Sequence, residues 1–307
     1  MNPSPSLAPA RPSRRSALIG AVLVVLSSVA FSGKAVLAKL LYREGVDPIT
    51  VLSLRMGFAL PVFLVAAWWT SRAAPPLKRR EWAAALSLGG VAYYLSALGD
   101  FIGLRFISAG LERLILFTYP TLVVLLSSVV LRERIGRRQV FALAVSYVGI
   151  ALVFRAELGN GNPGEHAFLG GALVFASAIS YASYLVGSTR YIRRLSSERF
   201  TALALAAASI STLLHFAATG RPLLGYSTPV YGLGLAMALV ATVLPAFALA
   251  EGIRRIGPSV SAILGTIGPV STLFLAHSFL DEPILPIQVL GTALVLVGAT
   301  LVARGAS

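Results

Sequence analysis

Two stretches of this chain decide its fold: FTYPTLVVLLSSVVLRERIGRRQVFALAVSYVG (residues 117–149) and TIGPVSTLFLAHSFLDEPILPIQVLGTALVLVG (residues 266–298). They align without gaps, and the full alignment pairs residues 103–153 with residues 252–302. Identical residues recur at Gly103 and Gly252, Arg105 and Arg254, Ile107 and Ile256, Pro120 and Pro269, Leu131 and Leu280, Glu133 and Glu282, Gln139 and Gln288, Gly149 and Gly298, and Val153 and Val302. The chain is therefore built from two copies of one unit.

The composition indicates that this unit lies in a membrane. Of 307 residues, 56% are hydrophobic and 12% are charged, and the mean hydropathy is +0.80. Such a chain has too few polar residues to cover a water-soluble globule. A hydrocarbon layer about 30 Å thick needs roughly 20 apolar residues per helix. The sequence supplies ten such spans, which we number 1 to 10: 17–41, 48–70, 82–103, 108–131, 138–154, 168–189, 200–218, 229–252, 258–280 and 284–303.

Each copy holds five spans, and an odd number of crossings places the second copy upside down relative to the first. We therefore predict an all-α integral membrane protein with ten transmembrane helices in two inverted five-helix repeats, the geometry of alternating-access transporters. The predicted parts are a cytoplasmic tail (residues 1–16), the first repeat (17–155), a linker (156–167) and the second repeat (168–304).

The charge distribution predicts the orientation of the chain. The formal net charge is +14, and most of the 26 basic residues fall in alternate loops, such as 72–80, 132–138 and 190–199. Under the positive-inside rule, this pattern places both termini in the cytoplasm. We interpret the basic excess as a topology signal and an attraction to anionic membrane lipid, and we expect no nucleic-acid partner.

The residue types available argue against catalysis. The chain has no cysteine and three histidines, His166, His215 and His277, without a paired histidine motif or a nearby carboxylate cluster. We therefore expect no metal, no cofactor and no enzymatic activity. The alternative from another class is an intramembrane enzyme or receptor, which bound metal or turnover of a substrate would support.

Matched polar stripes on spans 1 and 6 predict a shared central cavity. Such stripes would not be expected on unrelated lipid-facing helices. The stripe of span 1 is Ser27, Phe31, Lys34 and Ala38, and that of span 6 is Ser177, Tyr181, Tyr184 and Ser188.

Aromatic rings and hydroxyls in such a cavity can hold an amphipathic solute. The candidate substrate-binding residues are Phe31, Lys34, Tyr93, Tyr94, Ser96, Tyr119, Ser177, Tyr181 and Tyr184. For Lys34 two interpretations stay open: its side chain snorkels to the outer interface, or it faces the cavity and meets a carboxylate of the substrate or the protein. In the second case, replacing Lys34 by Ala would weaken transport and leave folding intact.

Four charged residues are candidates for a gate or for energy coupling. Asp100, Glu112 and Arg113 lie near predicted outer ends, where they form either an ion pair that closes a gate or independent solvated charges. Glu251 is expected to pair locally with the arginines three and four residues later. Proton coupling through Asp100 or Glu251 stays open.

Pro120 and Pro269 occupy equivalent positions about halfway along spans 4 and 9. Proline removes a helical hydrogen bond, so both helices are expected to kink beside the transport route.

These residues also carry a family resemblance. The pattern Pro120–Leu131, Glu133, Gln139 and Gly149, repeated at Pro269, Leu280, Glu282, Gln288, Gly291 and Gly298, resembles the paired repeats of the drug/metabolite transporter superfamily, EamA-like branch. The resemblance implies a central cavity formed by eight helices, with spans 5 and 10 peripheral and at a homodimer contact. The chain departs from the pattern with Ala142 in place of the glycine of the second repeat, and with Phe31 and Tyr181 where the branch often has tryptophan.

Within this branch the chain is similar to bacterial exporters of amino acids, including aromatic ones. The resemblance implies a secondary transporter of the bacterial inner membrane that exports amino acids or related small metabolites by alternating access. The alternative cargo is drugs or organic cations, which usually need a deep carboxylate that we do not find at the predicted midplane.

Overall fold

The computed structural model describes residues 14–130, 136–159 and 164–305, and these residues form helices and no strands. The helices, numbered in chain order, are α1 (Arg14–Arg43), α2 (Pro48–Ser71), α3 (Arg79–Leu104), α4 (Ala109–Leu116 and Tyr119–Val130), α5 (Arg137–Gly159), α6 (Gly164–Leu195), α7 (Ser197–Ala218), α8 (Thr228–Ile256), α9 (Pro258–Gly265 and Ile267–Leu280) and α10 (Pro286–Gly305). Within the described ranges, nine stretches are long and apolar enough to cross a membrane, and α10 contributes a shorter apolar stretch, Pro286–Leu301. Glu133 of the repeated pattern and most of the predicted tail lie outside the described residues.

Polar caps and turn residues set the helix boundaries. The Asp47 carboxylate accepts hydrogen bonds from the backbone N–H groups of Ile49 and Thr50 at the start of α2. Ser108 caps α4 in the same way through Leu111. Such caps satisfy N–H groups that have no partner inside the helix. Between α8 and α9 the chain turns at Gly257, whose φ of 80° suits glycine because it lacks a Cβ atom.

The two halves of the chain pack across each other. Helix α1 lies against α8 and α9, and its counterpart α6 lies against α3 and α4. Helices α2 and α7 form another pair, as do α5 and α10. Every one of these contacts joins a helix of the first half to a helix of the second, so neither half forms its core alone.

Matching hydrogen bonds hold these crossed pairs together. Ser27 of α1 donates to the carbonyl oxygen of Pro245 at 2.7 Å, and Ser177 of α6 donates to the carbonyl oxygen of Ser96 at 2.6 Å. Ser96 and Pro245 are equivalent under the sequence repeat, as are the two donors to within one residue. The polar stripes of spans 1 and 6 therefore begin with serines that bond to the facing helices.

Helices α4 and α9 are interrupted where their prolines require it. Helix α4 breaks at Phe117 and Thr118, and α9 breaks at Thr266. The ring of a proline clashes with the carbonyl group four residues earlier. For Pro120 and Pro269 those residues are Leu116 and Gly265, at which the first half of each helix ends.

Two π-helical segments, which the sequence pattern did not indicate, lie at related places in α3 and α8. They cover Ala85–Tyr93 and Leu239–Val243. The second is tied internally by Thr242, whose hydroxyl donates to the carbonyl oxygen of Met237 at 2.9 Å. Such segments change the helical phase, so the residues that follow face a different direction.

The contact between α5 and α10 provides a test of the fold. A Cβ atom at Gly291 would lie 2.6 Å from the backbone oxygen of Gly149 and 2.3 Å from a methyl carbon of Val153. Gly291→Ala is therefore expected to push the helices apart and to lower the free energy of unfolding by about 1–3 kcal/mol. Thermal unfolding in detergent measures this. Gly232→Ala is the matched control, because no atom lies within 4 Å of its Cβ position; equal effects of the two substitutions would contradict the packing.

Candidate functional site

A cavity of about 300 Å³ lies between helices α1, α8 and α9 and helices α3, α4 and α6. It therefore sits where the two halves of the chain meet. Its lining consists of Ser28, Phe31, Lys34, Arg55, Tyr93, Ser96, Ala97, Asp100, Arg113, Leu116, Phe117, Tyr119, Ser177, Tyr181, Leu249, Ile253, Ser261 and Gly265.

A buried ion cluster forms one end of this cavity. The Nζ atom of Lys34 lies 2.8 Å from Oε1 of Glu112 and also pairs with Oδ2 of Asp100. The three residues come from α1, α4 and α3, and they are 7%, 0% and 4% exposed. Charges this deeply buried are tolerated when they are paired, because an unpaired one would lose its hydration without compensation. Lys34 therefore faces the interior, and the carboxylates that it meets belong to the protein.

Two arginines add positive charge to the cavity lining. Arg55 of α2 donates from Nε to the hydroxyl of Thr242 at 2.8 Å and lies over the ring of Phe101. Arg113 lines the cavity and reaches the break in α9, where a Cβ atom at Gly268 would lie 2.7 Å from its Nη2. Within the described residues, neither arginine has a carboxylate within 4.0 Å.

Several polar atoms of this cluster lack a hydrogen-bond partner in the structure. They are Oδ1 of Asp100, Oε2 of Glu112 and Nε of Arg113, all buried. Buried polar atoms are nearly always hydrogen-bonded in proteins, so each unpaired atom needs an explanation. The Asp100 and Glu112 side chains also lie within hydrogen-bonding distance of each other, so a proton shared between the two carboxyl groups would satisfy their oxygens, and Nε of Arg113 is the atom of the three left without a partner.

Aromatic side chains form a wall of the cavity. The rings of Tyr93 and Tyr119 meet the ring of Tyr181 edge to face, with centroids 6.1 and 5.3 Å apart. Edge-to-face contacts are favourable and fix the orientation of each ring. Tyr184 is stacked behind them, between Tyr181 and Phe200.

The structure brings most of the predicted substrate-binding residues together at the cavity. The lining includes Phe31, Lys34, Tyr93, Ser96, Tyr119, Ser177 and Tyr181. Tyr184 lies outside the lining because it packs behind the wall. Tyr94 also lies outside, since its hydroxyl is 2.7 Å from Nδ1 of His215 on α7.

The four predicted gate residues separate into two places. Asp100 and Glu112 pair with Lys34, so the predicted ion pair among Asp100, Glu112 and Arg113 is replaced by one centred on the lysine. Glu251 lies near the end of α8, where it pairs with Arg254 at 2.7 Å and Arg255 at 2.6 Å as its sequence spacing predicts. Arg55 is a cavity residue that the sequence pattern did not single out, although an arginine inside an apolar span is itself a signal of function.

Beyond the ion cluster, the helix ends are tied to one another. The Glu282 carboxylate accepts hydrogen bonds from the backbone N–H of Ala109 at 3.1 Å and lies 3.4 Å from Nζ of Lys39. Tyr42 donates to the carbonyl oxygen of Phe101 at 2.7 Å. These contacts join α1, α3, α4 and the end of α9, so the cavity is closed on this side. Away from these contacts, near the C-terminal end of α8, the lining includes Ile253, which is 37% exposed.

An all-helical chain that is apolar enough to cross a membrane repeatedly, with a polar cavity between two related halves, has the architecture of a multi-pass membrane transporter. The sequence signature of the EamA-like transporter family matches residues 18–155 and again residues 168–304. The chain belongs to the EamA-like transporter family, within the drug/metabolite transporter superfamily.

Similar proteins agree with this assignment. An uncharacterized transporter of Bacillus subtilis, YcbK, is 30% identical over 286 residues, which cover 90% of each chain. An uncharacterized transporter of Archaeoglobus fulgidus is 25% identical over 92% of this chain and 98% of its own. One solved crystal structure, 18% identical, covers 94% of this chain and 95% of its own with a TM-score of 0.60, which shows the fold alone.

The ion cluster makes Lys34 important for folding. Lys34→Met would leave two buried carboxylates unpaired, so we expect the free energy of unfolding to fall by about 3–5 kcal/mol. This differs from the expectation drawn from sequence, in which loss of the lysine left folding intact. Denaturation in detergent measures the change.

Lys39→Met is the matched control, because its ion pair with Glu282 is partly exposed and Glu282 keeps its hydrogen bonds from Ala109, so we expect a loss of about 1 kcal/mol. Adding Asp100→Asn and Glu112→Gln to Lys34→Met should recover much of the lost stability, since no buried carboxylate then remains. Wild-type stability of the single variant Lys34→Met would contradict the assigned role of the cluster.

Proposed function

We propose that this protein is a secondary transporter that exports amino acids, including aromatic ones, or related small metabolites by alternating access. The observation that carries the proposal is that the cavity lining holds both the Arg113 guanidinium, which has no carboxylate within 4.0 Å among the described residues, and the Asp100 carboxylate. An amino acid carries one carboxylate and one ammonium group. The Arg113 guanidinium would hold the carboxylate, and Asp100 would accept a hydrogen bond from the ammonium group.

The remainder of the cavity suits the side chain of such a solute. Rings of Tyr93, Tyr119 and Tyr181 offer apolar surface and hydroxyl groups, and Phe31 adds a further ring. A volume of about 300 Å³ lies at the lower end of the range for small-molecule sites. These features favour single amino acids or metabolites of that size, with an aromatic side chain packed against the tyrosines.

The repeat supports an alternating-access mechanism. We propose ten transmembrane helices in two inverted five-helix repeats, with α10 as the tenth. Under this arrangement the serine contacts of Ser27 and Ser177 are equivalent and lie on opposite sides of the membrane midplane. The conformation described here, closed beyond Lys34 and extending toward Ile253, is then the inward-facing one. Its mirror arrangement, with the roles of the halves exchanged, would be outward-facing.

The proposed location is the inner membrane of a bacterium with both termini in the cytoplasm, which the alternation of basic loops supports. We also propose a homodimer through α5 and α10. These helices pack on each other and expose apolar side chains outward, including Phe141, Val148, Val289 and Val297.

Uptake by proteoliposomes that contain the purified protein tests the substrate, using a panel of labelled amino acids with and without an imposed pH gradient. We expect saturable uptake of several amino acids that compete with one another. Uptake of an organic cation such as tetraphenylphosphonium, with none of any amino acid, would overturn the proposal in favour of drug export. Stimulation by the gradient would indicate proton coupling, for which Asp100 and Glu112 are the buried candidates.

A variant of Arg113 tests the site itself. Arg113→Gln removes a cavity-lining guanidinium that has no carboxylate within 4.0 Å among the described residues, so we expect KM for amino acids to rise about tenfold or more while the fold is kept. Arg105→Gln, an exposed arginine at the end of α3, is the matched control. An unchanged KM in Arg113→Gln, or the same rise in both variants, would remove Arg113 from the site.

A further inference from the structure

A second pocket, separate from the central cavity, lies at the ends of α3 and α6. Its volume is about 420 Å³, and basic side chains dominate its lining: Lys78, Arg79, Arg80, Arg190 and Arg194. Lys78 immediately precedes α3, Arg79 and Arg80 begin it, and the two others lie near the end of α6, four residues apart and therefore on one face of the helix. The pocket thus lies where two membrane-crossing helices reach the membrane surface.

The positive charge of this pocket is not balanced by the protein. None of its five basic residues has a carboxylate within 4.0 Å among the described residues. The one acidic side chain in the lining, Glu81, is only 7% exposed and accepts a hydrogen bond from the backbone N–H of Lys78 at 2.8 Å. Cations held this close repel one another, and a bound anion would relieve the repulsion.

The walls of the pocket are held in place from behind. Tyr191, which also lines it, stacks on the buried ring of Phe200 with centroids 6.0 Å apart. Arg199, which is 4% exposed, donates to the carbonyl oxygen of Pro75 at 2.9 Å and to the hydroxyl of Ser71 at 3.0 Å. These bonds fix the segment that leads into Lys78, so the basic side chains project from a fixed backbone.

The surface next to the pocket is apolar. Trp82 lies three residues after Arg79 on the same helix face, and Leu86 follows at the start of the π-helical segment; they are 50% and 57% exposed. Tryptophan is enriched at the level of the lipid headgroups, and exposed leucine below it faces the acyl chains. A ligand with a negatively charged head and an apolar tail would match both the pocket and this adjoining surface.

We propose that the pocket binds the phosphate of an anionic phospholipid headgroup, with an acyl chain lying along Trp82 and Leu86. Arginine side chains recognise phosphate oxygens through paired N–H donors, and the anion would neutralise part of the clustered charge. On the proposed topology the pocket faces the cytoplasmic leaflet, where anionic lipid attracts basic residues near helix ends. The lipid would thereby link α3, which supplies Asp100 to the central cavity, to α6, which supplies Tyr181.

Lipid titration of the full-length protein in detergent tests this, with binding followed by native mass spectrometry and by the shift in melting temperature. The probes are phosphatidylglycerol, phosphatidylcholine and inorganic phosphate. We expect phosphatidylglycerol to bind and to raise the melting temperature, and Arg190→Gln with Arg194→Gln to weaken its binding about tenfold or more. The charge-retaining pair Arg190→Lys and Arg194→Lys should bind more weakly than wild type, since lysine lacks the paired donors.

The matched control is Arg15→Gln with Arg137→Gln, which removes two exposed charges from the same predicted side but outside the pocket. Unaltered affinity in this control, with weakened affinity in the pocket variants, supports the site. Equal loss in both double glutamine variants would overturn it, because attraction would then be to net charge alone.

Protection by inorganic phosphate equal to that by phosphatidylglycerol would overturn the lipid as the ligand and assign the pocket to free phosphate. Both glutamine variants should melt as wild type does in phosphatidylcholine, which shows that they fold.

Discussion

The charge cluster of Lys34, Asp100 and Glu112 is the interaction on which the remainder of the site depends. Its members come from α1, α3 and α4, and each is buried. Isolated charges in such a setting would cost several kcal/mol each, so the helices must meet closely enough to pair them. Once paired, the lysine is no longer available to a solute, and the other positive charges in the cavity lining come from Arg55 and Arg113. The cluster thus closes one side of the cavity and determines which cation remains for a substrate.

The crossed packing of the two halves would allow the proposed change of access to occur without unfolding. Helices α1, α8 and α9 form one wall, and the equivalent helices α6, α3 and α4 form the other. Hydrogen bonds from Ser27 and Ser177 hold each wall together internally, whereas the ion cluster and the contacts of Glu282 join the walls at one end. Breaking the end contacts while keeping the internal ones would let the walls rock as units. The helix breaks before Pro120 and Pro269 lie in the middle of each wall, where bending would be needed.

Much of this architecture follows from the sequence, because span length, apolar composition and proline chemistry are local properties. The predicted spans match the helices closely, and the two helix breaks occur just before Pro120 and Pro269, where kinks were predicted. Other features depend on how helices rotate against distant partners. Tyr93 and Tyr94 are adjacent, and only Tyr93 lines the cavity, because neighbouring side chains on a helix point about 100° apart. The choice of Lys34 as the partner of both carboxylates likewise depends on three helices meeting, which no local pattern specifies.

Distance measurements between spin labels at the two ends of the cavity test the central claim, that its two walls rock against each other. The chain has no cysteine, so labels can be placed singly. Glu44→Cys with Arg105→Cys reports the end beyond Lys34, and Arg15→Cys with Val130→Cys reports the opposite end; all four positions are exposed. On addition of a transported amino acid, we predict that the two distances change in opposite senses. Two distances that stay constant, or that lengthen and shorten together, would contradict alternating access through this cavity.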